Sequence, residues 1–295
     1  DKMKDIVLEF KNISKRYDKI KALKDVSFSI PQNSIFGILG ANGSGKSTFM
    51  KILPGLIYNW SGKIFYLNNL IEKGDNKLKN DFGYLIESPT FYEYLSARKN
   101  LEILSRISNV NSKNIDTVLK TVNLSHRSND HVSTYSYGMK QRLGIAQALL
   151  HDPEIVVLDE PNNGLDPNGI QEMVKIIKRL KSEGKTIILS THNLKDVEEI
   201  CTDFAIFKEG VCTITSSMKK QLKKSNMWLI NAKETKKAIE LINSIDSYKI
   251  INSFNNNILI KVNDNSGFDE ISKLLNSIKI YKISKESNLI EHFND

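Results

Sequence analysis

No stretch of about 18 consecutive apolar residues occurs in the sequence, the length a helix needs to cross a bilayer. The chain is therefore expected to span no membrane. No secretory leader pattern stands at its start. Only two cysteines are present, Cys201 and Cys212, and they fit neither a metal-ligand spacing nor a disulfide framework. Two reduced, partly buried thiols are expected, as in a reducing cytoplasm. Sustained heptads are missing, which excludes long coiled-coil arms. The formal net charge of +8 is diffuse. Its densest cluster, Lys219-Lys220 with Lys223-Lys224, has no aromatics interleaved, which speaks against nucleic acid as a partner. A solvated helix face is the plain reading of those lysines, and an anionic membrane surface is the other. Asp1-Lys2, ahead of Met3, read as the remnant of an acidic tag outside the fold.

The 295 residues suffice for one large or two modest domains. Residues 40–48 read Gly-Ala-Asn-Gly-Ser-Gly-Lys-Ser-Thr and follow the apolar run Ile35–Leu39. A glycine-rich loop between a strand and a helix is a polyphosphate cradle. Gly40, Gly43 and Gly45 can take backbone angles that turn successive N–H groups inward. The helix starting near Lys46 aims the positive end of its dipole at the same anion. Lys46 is suited to the outer phosphates and the Ser47 hydroxyl to Mg²⁺. Asn42, Ser44 and Thr48 complete the expected nucleotide-binding loop.

The hydrophobic pattern places this loop in an α/β frame. Ile6–Phe10 and Val26–Ile30 read as strands around a turn-like Lys15–Asp18, and 63–67 and 82–86 as further strands. From about Tyr94 to Leu150 the period is helical, with Leu101, Leu104 and Ile107 on one stripe and Val118, Val122 and Leu124 on another. Strands return at Ile155–Leu158 and Thr186–Ser190, with a helix over Met173–Glu183 between them. Continuous apolar strands alternating with helices predict a parallel sheet covered on both faces. The helical stretch, about residues 90–150, is then an inserted subdomain. After Thr215 the composition shifts to Lys, Ser and Asn. There a strand at 228–230, a helix at 235–245, strands at 248–254 and 258–262 around an Asn255–Asn257 turn, a helix at 267–278 and a strand at 279–283 predict a small βαββαβ domain over 220–295.

Two further segments carry chemistry. Ile155–Leu158 ends in Asp159-Glu160-Pro161, so a buried strand delivers two carboxylates to its C-terminal edge. Asp159 is suited to hold Mg²⁺ through water and Glu160 to polarise an attacking water. Ser136-Tyr137-Gly138 opens an amphipathic helix whose start could form a second anion site.

The order of the motifs is phosphate loop, acidic turn, Ser-x-Gly helix start, Asp-Glu strand end, Gly164-Leu165-Asp166, then Thr191-His192. In this order and spacing, about residues 5–215 resemble the nucleotide-binding subunit of ATP-binding-cassette transporters. The resemblance implies an α/β P-loop ATPase core over 3–215 with a parallel sheet, an antiparallel β part and inserted helices. It implies ATP and Mg²⁺ as ligands, a second ATPase subunit, a membrane permease, and a place on the cytoplasmic face of the cell membrane. It also assigns roles. Tyr17 matches the aromatic that stacks on adenine. Ser136 and Gly138 match the signature that contacts ATP held by the other subunit, and Asp166 the loop coupling the two sites. His192 matches the switch histidine at the γ-phosphate, and Glu87 the position that offers an oxygen to Mg²⁺ and water.

Three positions depart from the family pattern: Glu87 in place of Gln, Tyr137 in place of Gly, and Met139 in place of Gln. Glu keeps the oxygen but adds charge and loses the amide donor. The strings around Glu87 and Ser136 are similar to those of lantibiotic-immunity and bacitracin-resistance exporters, which implies export of antimicrobial or amphipathic peptides. Alternatives at this stage are an ABC subunit for another substrate, a ribosome- or DNA-associated ATPase of the same superfamily, and a P-loop kinase.

Overall fold

A computed structural model describes residues 5–72, 80–263, 267–287 and 289; the Asp1-Lys2 pair lies outside them. The chain divides into two compact units at Ser216/Ser217. In the first, β1 (Ile6–Tyr17) and β2 (Ile20–Pro31) form a long hairpin, and β4 (Trp60–Tyr66) and β5 (Asn69–Ile71) extend it into an antiparallel sheet of order β2-β1-β4-β5. A second sheet comprises β3 (Ile35–Leu39), β6 (Phe82–Leu85), β7 (Ile155–Leu158), β8 (Thr186–Thr191), β9 (Asp203–Lys208) and β10 (Val211–Ser217), in the order β10-β9-β3-β8-β7-β6. Its strands from β9 to β6 run parallel. Every residue of β3, β7 and β8 is buried, which is why β3 and β7 read as unbroken apolar runs rather than alternations, and β8 is apolar at its centre.

Helix α1 (Lys46–Ile52) is clamped between the two sheets by rings. The Phe49 ring lies 4.8 Å from Phe10 of the antiparallel sheet and 5.6 Å from Phe207 of β9, centroid to centroid. Phe28 and Phe36 join the same core, and Trp60 packs on its margin. The inserted segment contains α2 (Ala97–Ile107), α3 (Asn114–Thr121), two 3₁₀ turns at Ser125–Arg127 and Val132–Thr134, and α4 (Tyr137–Ala148). Helices α5 (Pro167–Ser182) and α6 (Leu194–Ile200) complete the unit.

The second unit holds α7 (Met218–Lys224), then β11 (Met227–Ala232), α8 (Thr235–Asn243), β12 (Tyr248–Phe254), β13 (Asn257–Val262), α9 (Phe268–Leu274) and β14 (Ile280–Glu286). The sheet order β12-β13-β11-β14, antiparallel throughout, is that of a split βαβ fold. Ile230, Ile258, Ile260, Ile242 and Ile271 fill its own core, with Trp228 against it.

Several expectations need correction. Lys15, Arg16 and Tyr17 are strand rather than turn, because the hairpin register runs on to Tyr17 opposite Ile20; the turn is Asp18-Lys19. The helix expected at Met173 starts at Pro167, since Asp166 caps it and proline suits a first helical position. Ile107 is 75% exposed and belongs to no buried stripe; Leu101 alone of that trio is fully buried. The helix expected over 267–278 ends at Leu274, and Asn257 is strand, leaving Asn255-Asn256 as the turn. Strands β5, β9 and β10 and helix α6 have no counterpart in the sequence reading, whereas α7 carries the lysines read as a helix face; β9 and β10 meet at the Glu209-Gly210 turn.

Candidate active site

The phosphate loop leaves β3 and enters α1 without a side-chain cap. The first intrahelical bond runs from Phe49 N–H to the Gly45 carbonyl, 2.9 Å, so the N–H groups of Lys46, Ser47 and Thr48 have no acceptor within the helix. Gly45 has φ +106°, and a Cβ there would stand 2.6 Å from the Ala22 carbonyl oxygen. Only glycine satisfies both constraints. The loop is tied to β8 by Gly40 N–H donating to the Thr191 carbonyl, 3.2 Å. Ser44 Oγ is buried beneath the loop without a hydrogen-bond partner.

A cleft of about 580 Å³ opens over this loop. Asn42, Gly43, Gly45, Lys46, Ser47, Thr48, Glu160 and His192, all candidates from the sequence, line it. The β1–β2 hairpin adds Ile20, Lys21, Ala22 and Lys24, while Asn163, Glu209 and Gly210 complete the wall. Lys46 is 4% exposed, and its ammonium donates to the carbonyls of Gly40 (2.7 Å) and Ala41 (3.1 Å).

Glu160 sits between Lys46 and His192. One oxygen is 3.5 Å from Lys46 Nζ, and the other accepts from His192 Nδ1 at 2.8 Å. Its backbone is left-handed, φ +49°, which costs about 1–2 kcal/mol in a non-glycine residue. Strain of that kind is retained where surrounding structure enforces it. Here the enforcement comes from Ser190, which sequence reasoning missed. Its fully buried hydroxyl accepts from Glu160 N–H at 2.9 Å and donates to Asp159 Oδ1 at 2.5 Å. One serine thus orients both carboxylate residues. The available signal was its place at the end of β8, directly before Thr191-His192; the β7–β8 pairing makes it functional. Burial pushes the Asp159 carboxyl above the usual carboxylate range, the Ser190 hydrogen bond opposes this, and neighbouring Glu160 adds to it.

The other candidate residues are elsewhere. Tyr17 stands at the β1 end, beside the cleft rather than in its wall, with the Lys15 ammonium 4.6 Å from its ring centroid. Gly40 and Ser44 form the floor of the loop. Glu87, also left-handed with φ +65°, is turned onto Lys51, 2.6 Å away. Ser136 caps α4 by accepting from Met139 N–H at 3.3 Å, and Asp166 caps α5 by accepting from Gly169 N–H at 2.9 Å. Gly138 lies in the first turn of α4. The Tyr137 ring, where the family has glycine, lies against Gly164: a Cβ on Gly164, whose φ is +75°, would approach the ring to 3.2 Å. The Tyr137 hydroxyl accepts from Gln141 Nε2 at 2.8 Å.

The residues fit a metal that arrives with its substrate. Among the described residues no group of three or more His, Cys, Asp and Glu could hold one alone. Ser47 and Asp159 supply hard oxygens of the kind Mg²⁺ shares with nucleotide phosphates.

A phosphate loop on a parallel sheet, an acidic strand end facing it, an antiparallel sheet over it and inserted helices define a P-loop ATPase of the ATP-binding-cassette class. The ABC transporter family model matches residues 23–163. The uncharacterised ABC transporter ATP-binding protein YhcH of Bacillus subtilis is 37% identical, over 81% of this chain and 80% of its own length. The bacitracin transport ATP-binding protein BcrA of Bacillus licheniformis is 41% identical over 69% of this chain and 67% of its own. The lantibiotic transport ATP-binding protein SrtF of Streptococcus pyogenes is 40% identical over 69% and 88%. Among solved structures, the dimeric ATP-binding cassette MJ0796 with ADP and Pi superposes with a TM-score of 0.63 at 25% identity, covering 72% of this chain and 98% of that one. The chain belongs to the ATP-binding proteins of ABC transporters. It is an ATP-binding ATPase subunit of the kind that works with a separate membrane permease. No helix among the described residues is long and apolar enough to cross a membrane.

Proposed function

We propose that this subunit powers a permease that exports antimicrobial or amphipathic peptides, in immunity, resistance or toxin secretion, from the cytoplasmic face of the membrane. The observation that carries the ATPase half is Glu160, bonded to His192 and facing Lys46 over the phosphate loop. The identity to bacitracin and lantibiotic transport proteins supports the export half.

In this reading Lys46 gives up its loop carbonyls for the β- and γ-phosphates, and the N–H groups of residues 46–48 receive the same anion. Ser47 and Asp159 would hold Mg²⁺ and Glu87 would offer it an oxygen; the ion would supply neutralisation of charge on the phosphate oxygens. Glu160 orients and polarises the attacking water, and His192 keeps the carboxylate turned to the site while reaching the γ-phosphate. Tyr17 stacks on adenine from the hairpin edge. Ser136 and Gly138 belong to the site of a second copy of this chain, with Asp166 linking the two sites, so the working unit is a head-to-tail dimer. Phe91 and Tyr92 offer apolar contact to a permease helix.

The test is ATPase activity of the subunit co-reconstituted with its permease, with and without bacitracin or a lantibiotic. Stimulation by peptide that is altered in Glu87→Gln supports the reading. Peptide-indifferent turnover, with stimulation by an unrelated substrate, overturns the export half and leaves the ATPase half standing.

A further inference from the structure

Lys51 is a charged residue of α1 that none of the motifs uses. It follows Ser47 by one helical turn, so both side chains leave the same face of the helix. Its ammonium lies 2.6 Å from Glu87 Oε1 and forms an ion pair with that carboxylate. Glu87 is itself fixed in a left-handed conformation just beyond β6, the strand next to β7 and its Asp159. The two residues therefore form a salt bridge beside the phosphate loop, outside the cleft wall.

The pair does little for folding. Its members are 32% and 68% exposed, and exposed ion pairs contribute only marginally to stability. The local field is another matter. A carboxylate at the edge of a polyphosphate site repels the substrate. A partner cation within hydrogen-bond distance turns that charge into a dipole whose field falls off much faster.

We propose that Lys51 is the positioning residue for Glu87: it holds that side chain back from the cleft and cancels its charge, so that a polyphosphate anion can enter next to a carboxylate. This rests on the nucleotide-site reading above. It adds that the carboxylate at position 87 is tolerated because of the cation one turn into α1, so the two residues act as a unit.

The test is a double-mutant cycle on the full chain, read as ATP affinity in EDTA by fluorescence titration, which involves neither metal nor turnover. Lys51→Gln is expected to weaken binding about 5–10-fold at low salt, the effect of one uncompensated charge roughly 10 Å from a triphosphate, and less at high salt. In a Glu87→Gln background the same substitution is expected to cost under about 2-fold. Lys51→Arg, which keeps the charge, should restore wild-type affinity, and unchanged melting temperatures exclude misfolding. An equal loss in both backgrounds overturns the proposal, because Lys51 would then act on the nucleotide directly. No loss in either background overturns it as well. Failure of the wild-type chain to bind ATP would instead sink the nucleotide-site reading itself.

Discussion

The strand-end cleft and the two helix starts use the same kinds of side chain to opposite ends. In the cleft, residues far apart in sequence are bonded to one another: Glu160 to His192, Asp159 and Glu160 to Ser190, Lys46 to Glu160. At the helix starts, Ser136 and Asp166 are bonded to backbone three residues on. The cleft is a tertiary object whose groups already face a shared space. The helix starts are local objects whose oxygens are occupied as caps, each worth about 1 kcal/mol to its helix. A cap can exchange its backbone partner for a phosphate oxygen at small cost. A half-buried carboxylate network cannot be rearranged so cheaply. One region therefore holds a fixed geometry, and the other, under the proposed function, could lend a group to a second copy of the chain.

The largest expected effect lies at the centre of the first region. Glu160→Gln keeps a similar shape at φ +49° but loses the base, so hydrolysis should fall by about 10²–10⁴ while nucleotide titration stays near wild type. Unchanged turnover of the purified complex would remove Glu160 from catalysis. A change on the helix-start side should be complemented in trans. Subunits carrying Lys46→Ala and subunits carrying Ser136→Arg are each expected to be inactive alone, and mixing them should restore turnover in dimers that keep one intact site. A mixture as dead as its components would mean that Ser136 does no more than cap α4.

The smallest effect concerns the electrostatics of the cleft. Asp159 is held above the usual carboxylate range by burial, so the folded state binds its proton more tightly than the unfolded state does. By linkage its contribution to stability is greatest at acid pH and is lost as pH rises through the raised value. Asp159→Asn, which still accepts from Ser190, should melt higher than wild type at neutral pH without nucleotide. The gain should shrink as pH falls into the ordinary carboxylate range, and thermal scans across pH would show it. A gain that persists at acid pH would place its origin in packing rather than charge.

The contrast also explains how much was legible beforehand. The phosphate loop and the Asp159-Glu160 strand end announce themselves, because each is a contiguous string whose chemistry follows from its neighbours. Ser190 does not, since its importance exists only once β8 lies beside β7. The hairpin residues Ile20–Ala22 were missed as cleft wall for the same reason: an antiparallel strand reads as a strand wherever it packs. The Tyr17 segment was misread as turn because its polar neighbours look like loop, whereas their partners on β2 keep them extended. Lys51 belongs to no motif, and only the folded chain sets Glu87 against it.

The two tryptophans of the chain are divided between its units, Trp60 at the margin of the phenylalanine core and Trp228 against the isoleucine core of the βαββαβ unit. Each indole therefore reports on the core it packs against. Intrinsic fluorescence of the whole chain sums a signal from each unit, so a single unfolding free energy extracted from it presupposes that the two cores melt together. Replacing either tryptophan by phenylalanine separates the two curves without touching the cleft.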